Sequence, residues 1–194
     1  MDTPADSFSL PHAVRELDRL ATQARDLAAH TGVLFRRAGI TAGQRVLDLG
    51  CGPGDVALIA AEIVGPGGHV VGVDRSPVAV AAARDRAHLA GYLNTTFKTG
   101  DAANLAIIGE FDVIVGRLVL MDLPDPMKAL RSLRKYLRPQ GLMVLQETAI
   151  GAPLVSVLHH AGYHTQGICI SPPTSVWQER LLGVWARVAG DFRS

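Results

Sequence analysis

The 194-residue sequence is sparing with cysteine, having only Cys51 and Cys169. Two thiols do not build a disulfide framework, and Cys51 lies within a run of glycines, so a reducing compartment, the cytoplasm, is the plain expectation. An excess of either charge is also lacking. Nineteen basic residues offset 18 acidic ones for a net charge of +1, which gives no electrostatic case for a nucleic-acid or membrane partner. No apolar run approaches the roughly 20 residues of a membrane span. The opening residues Met1-Asp2-Thr3-Pro4-Ala5-Asp6 lack the basic and apolar regions of a signal peptide. The composition itself, 48% hydrophobic and 19% charged, is ordinary for a soluble globular protein, and the length fits one domain with a substantial core.

The chain is organised around Val46-Leu47-Asp48-Leu49-Gly50-Cys51-Gly52-Pro53-Gly54-Asp55. A short apolar strand carrying an acid breaks into three glycines two apart, and a helical pattern over 56–64 follows at once. Glycine lets such a turn take unusual backbone conformations and approach a ligand closely. The helix behind it offers unpaired N–H groups and a positive dipole end. The next strand, 69–74, is apolar almost throughout, as a parallel strand covered on both faces should be. It ends on Asp74, 20 positions after Gly54, where a carboxylate can accept from both hydroxyls of a ribose. Ser76-Pro77 then caps a helix over 78–90. Strands at 95–99, 111–115 and 142–147, with a helix from Asp125-Pro126, complete the βαβα rhythm of a doubly wound sheet. Arg131, Arg134, Lys135 and Arg138 on that helix read as a solvated face, since no aromatic residues are interleaved to stack bases.

From about residue 14 to 147, these landmarks resemble the class I S-adenosylmethionine-dependent methyltransferases of small-molecule type. The glycine turn resembles their motif I, in a G-x-G-x-G spacing that differs from the G-x-G-x-x-G of dinucleotide enzymes and speaks against a nicotinamide oxidoreductase. Gly100-Asp101-Ala102, the run from Gly116 to Pro124, and Leu137-Arg138-Pro139-Gln140-Gly141-Leu142 resemble later family landmarks, the last usually having Pro-Gly-Gly. The Asn-Pro-Pro-Tyr or Asp-Pro-Pro-Tyr signature of base and glutamine methylators is absent. The resemblance implies an α/β fold with a mainly parallel sheet and helices on both faces, and S-adenosyl-L-methionine as cofactor. It implies that Asp48, Gly50, Cys51, Gly52 and Gly54 hold the methionine end, Asp74 with Arg75 beside it the ribose, and Asp101 and Ala102 the adenine. Arg117 and Leu118 would lie by the reactive methyl, with Arg117 also counted among the cofactor contacts. The expected activity is methyl transfer to a small molecule, with acceptor and atom open.

The expected division is a helical lid segment over 1–40, a cofactor-binding core over 41–150, and a C-terminal segment over 151–194. Amphipathic spacing predicts helix over 11–37, broken at Gly32 and ended at Gly39, with Gln23 as a polar lid contact. The tail departs from the family pattern. It reads as a short helix over 153–161, a strand over 166–170, and a last helix whose face is Val176, Trp177, Leu181, Leu182, Trp185 and Val188. Strands six and seven of the family sheet are therefore expected to be missing or altered, and the last helix to belong to a substrate-covering insertion. The exposed edge left behind would favour self-association or poor stability, and a cofactor-binding pseudo-enzyme is the alternative. His159, His160 and His164 do not make a metal-ligand set, with Gly162 between them and no carboxylate or thiolate near.

Overall fold

The inner strand-forming runs of this chain are rich in Val, Ile and Leu and apolar at consecutive positions, which suits a sheet covered on both faces, whereas edge runs such as Thr95-Thr96-Phe97-Lys98-Thr99 are more polar. In the computed structural model, which describes residues 27–101, 105, 109–148, 154–170 and 181–188, they form β1 (Arg45–Leu49), β2 (His69–Asp74), β3 (Thr95–Thr99), β4 (Phe111–Arg117), β5 (Leu137–Thr148), β6 (Tyr163–Ile170) and β7 (Leu181–Val188). One helix occupies residues 27–38 and is designated α1. The others are α2 (Asp55–Val64), α3 (Pro77–Leu89), α4 (Pro126–Leu133) and α5 (Leu154–His160). Local chemistry starts two of them. Ser76 Oγ accepts from the Ala79 N–H at 3.2 Å, Asp125 Oδ1 accepts from the Lys128 N–H at 2.9 Å, and each cap is followed by proline at the first helical position.

The strands lie in the order β3-β2-β1-β4-β5-β7-β6. The first five are parallel, and β7 runs antiparallel between β5 and β6. Alternate side chains enter two helix layers. Val46, Val113, Val115 and Val144 pack with α1, α2 and α3, whereas Leu47, Leu49, Ile114, Met143 and Leu145 pack with α4 and α5. The chain reverses its direction of winding between β1 and β4. Ligands in such sheets bind above the carboxyl ends of the strands at that point.

The structure corrects three expectations. Strands six and seven are present, and the described residues form a seven-stranded sheet. Described residues 181–188, expected in the last helix, are the strand β7. Its Leu182, Val184 and Ala186 face one layer while Trp185 packs in the other. A strand apolar on both faces shows no alternation, so spacing alone cannot separate it from a helix. Gly183 carries the missing signal: a Cβ there would meet Leu34 of α1 at 2.8 Å, so the strand passes under that helix only without a side chain. Third, α1 runs through Gly32 without a break; one interior glycine costs a helix only about 1 kcal/mol relative to alanine. The expected exposed edge of β5 is paired with β7, which removes the ground given for self-association. Residues 11–26, Gln23 and residues 176–180 lie outside the described residues.

Candidate functional site

The turn after β1 has every glycine in the left-handed region, with φ of +60°, +50° and +91° at Gly50, Gly52 and Gly54. A side chain at any of them would be strained. Gly54 also needs its bareness for packing, since a Cβ would come within 3.1 Å of Ala83 on α3. Gly52 is the opposite case. A Cβ there meets nothing within 4 Å, so the space beside it is clear of protein. The turn is pinned to the neighbouring strand. Cys51 N–H donates to the Val73 carbonyl at 3.0 Å, and the Asp74 carboxylate accepts from Gly52 N–H and Ser76 N–H, both at 2.8 Å.

A cavity of about 300 Å³ opens at the carboxyl ends of β1 to β4, lined by Gly50, Val73, Asp74, Arg75, Gly100, Asp101, Leu118, Val119, Asp122, Leu123 and Pro124. It brings together five of the expected site residues: Gly50, Asp74, Arg75, Asp101 and Leu118. Two larger cavities, of about 530 and 590 Å³, involve none of them. One lies at the opposite end of the strands beside Gly65 and Asn94, the other along β3. Ala102 lies outside the described residues.

Asp48 and Arg117 are elsewhere in the same neighbourhood. They share the sheet face of Val46, Val113 and Val115, beneath α1, so strand parity turns Arg117 away from the cavity wall that Leu118 joins. Arg117 Nη1 donates to Thr31 Oγ1 at 3.4 Å, and that hydroxyl donates to Gln146 Oε1 at 2.8 Å. Asp48 is fully buried, and neither of its oxygens has a hydrogen-bond partner among the described residues. Burial pushes its carboxyl up to about 8, opposed chiefly by the Arg117 charge. Burial also works against the Arg117 charge, with Asp55 and Asp48 supporting it. Cys51 is 4% exposed, and burial, reinforced by Asp48 and Asp74, holds its thiol far above the usual range.

Glu147 is a residue that sequence reasoning passed over. Its Oε1 accepts from Val119 N–H at 3.0 Å and Leu120 N–H at 3.1 Å. Burial raises its carboxyl to about 7 although both N–H groups pull it down. Like Asp74 it is an acid ending a buried apolar strand, but the loop it holds lies 27 and 28 positions earlier in the chain. The histidines of the tail belong to α5 and β6, with His160 Nδ1 2.7 Å from the Ser156 carbonyl, and no metal-ligating group of three is assembled among the described residues.

A model of the family described as "Methyltransferase domain" matches residues 40–170. The chain is 41% identical over 99 residues to a 2-phytyl-1,4-naphtoquinone methyltransferase of Synechococcus elongatus, covering 50% of this chain and 42% of that protein. It is 32% identical over 117 residues to an arsenite methyltransferase of Halobacterium salinarum, covering 60% of this chain and 30% of that protein. The chain thus spans less than half the length of these curated relatives. In fold it resembles a SAM-dependent methyltransferase from Aquifex aeolicus, with a TM-score of 0.70 at 19% identity over 82% of this chain and 89% of that one. The matched span runs from just before β1 through β6 and so takes in the glycine turn and the cavity. This chain belongs to the methyltransferase domain family.

Proposed function

We propose that the chain transfers a methyl group from S-adenosylmethionine to a small, mainly apolar acceptor. The carrying observation is the mixed lining of one cavity, in which Gly50, Asp74 and Asp101 are joined by the apolar side chains of Leu118, Val119, Leu123 and Pro124. The site residues suit the cofactor on two further counts: the clear space beside Gly52 and the unpartnered oxygens of Asp48. Asp48 and the turn from Gly50 to Gly54 would hold the methionine end, Asp74 and Arg75 the ribose, and Asp101 with Ala102 the adenine. Arg117 belongs in this reading to the methionine end, beside Asp48, and Leu118 to the methyl.

Bound there, S-adenosylmethionine supplies a methyl group on a sulfonium, already a strong electrophile. The chain has to align the acceptor and keep water out, and positioning of that kind is worth roughly 7–11 kcal/mol. No side chain is required to act as a nucleophile. The alternative of a non-catalytic module loses its ground, because strands six and seven are present.

The relatives' names suggest two acceptor classes, a quinone and arsenite. The apolar lining of Leu118, Val119, Leu123 and Pro124 fits the quinol class better. Incubation with methyl-labelled S-adenosylmethionine and a panel of hydroquinones and naphthoquinols, beside arsenite with a free thiol, tests this. Label is expected on a quinol; transfer to arsenite alone would overturn the acceptor assignment.

A further inference from the structure

The segment that leaves β4 is held in a conformation its residues do not favour. Leu118 has φ +55°, the left-handed region, which costs a branched L-residue roughly 1–2 kcal/mol. Such a residue persists only where its surroundings determine it. Here the end of β5 does so. Leu118 N–H donates to the Gln146 carbonyl at 2.9 Å, and the next two N–H groups, of Val119 and Leu120, both donate to one oxygen of Glu147. Three successive N–H groups thus lose a strand partner and regain one from adjacent residues of β5.

Packing carries this hold to the glycine turn. Val119 lies between two glycines. A Cβ on Gly116 would come within 2.8 Å of Val119 Cγ1, and one on Gly50 within 3.0 Å of Val119 Cγ2. The first glycine of the turn therefore rests on a side chain whose own backbone N–H is held by Glu147. The Glu147 backbone is fixed in turn by pairing with Leu182 of β7.

We propose that Glu147 is a positioning residue for the cofactor cavity: its carboxylate latches the strained Leu118–Leu120 segment, sets Val119 against Gly50 and so fixes the shape of the methyl end of the site. The assignment rests on the cofactor reading above, but the latch itself is a property of the free chain. It acts through Val119 and Leu118, without contact to the reacting atoms.

The test uses Glu147→Gln, Glu147→Asp and Glu147→Ala. Glutamine keeps an acceptor oxygen at the same reach; aspartate keeps the charge but is one methylene short. In the free chain, amide hydrogen exchange at Val119 and Leu120 should be protected in the wild type and in Glu147→Gln. It should accelerate at least about tenfold in Glu147→Asp and Glu147→Ala, since opening no longer breaks the two bonds to Glu147 Oε1. Affinity for S-adenosylhomocysteine, the product of methyl transfer, should fall about tenfold or more in the same two variants and by less than about threefold in Glu147→Gln. Protection at 119 and 120 unchanged in Glu147→Asp would overturn the latch. So would loss of affinity in Glu147→Gln equal to that in Glu147→Asp. If the wild type binds no S-adenosylhomocysteine while the exchange pattern holds, the cofactor reading fails and the latch stands.

Discussion

Asp48 and Glu147 are carboxyls that the fold withdraws from water without giving either a full ion pair. Their folded values of about 8 and about 7 lie far above the ordinary 3.8 and 4.5. The unfolded chain therefore releases these protons at lower pH than the folded one. Between about pH 4 and pH 8 the folded state binds more protons than the unfolded state, so stability falls as pH rises through that window and levels off above it. For Glu147 alone, the distance from 4.5 to about 7 corresponds to about 3 kcal/mol at 1.36 kcal/mol per unit. Thermal unfolding of the free chain should thus show a melting temperature that declines from pH 5 to pH 8. Glu147→Gln and Asp48→Asn should each flatten the decline, most visibly at the alkaline end. An unchanged slope in both variants would mean that neither carboxyl is protonated in the folded chain. The acids were unequally legible in the sequence. Asp48 and Asp74 flank a glycine turn and announce themselves, whereas Glu147 acts on a loop nearly 30 positions earlier, which no local pattern connects to it. The direction of Arg117 depends on which helix layer each face of β4 meets, and that is fixed only by the assembled sheet.

At the scale of elements, the core strands and their connecting helices could be read because their ends carry chemistry: glycines after β1, Ser76-Pro77, Asp125-Pro126. β7 could not. Leu181-Leu182-Gly183-Val184-Trp185-Ala186-Arg187-Val188 is apolar on both faces because helices cover both faces, so tertiary burial erased the alternation that would have identified it. The bend within β5 makes a clearer local statement. Gln140 has φ +63° at the place where the resembling family has glycine, and its carbonyl accepts from Arg187. Relief of left-handed strain, about 1–2 kcal/mol, should outweigh the extra chain entropy of glycine, about 0.5–1 kcal/mol. Gln140→Gly should therefore stabilise the chain by about 0.5–1 kcal/mol in denaturant unfolding. A destabilised variant would show that the Gln140 side chain contributes more than its backbone strain costs.

For the molecule as a whole, the seven-stranded sheet places every wall of the cavity at the carboxyl ends of parallel strands, from Gly50 after β1 to Pro124 after β4. The proposed cofactor contacts were legible because methyl donors of one kind demand one set of contacts, and those fall on short motifs. The proposed acceptor wall was not, because Leu118, Val119, Leu123 and Pro124 are residues that serve equally as core. The central claim, that this crevice holds S-adenosylmethionine through the acid ending β2, is tested most directly by calorimetric titration of the chain and of Asp74→Ala. The account predicts micromolar binding by the wild type and a loss of about tenfold or more in the variant. A folded wild-type chain that binds no S-adenosylmethionine, or a folded Asp74→Ala that binds it equally well, would contradict the account.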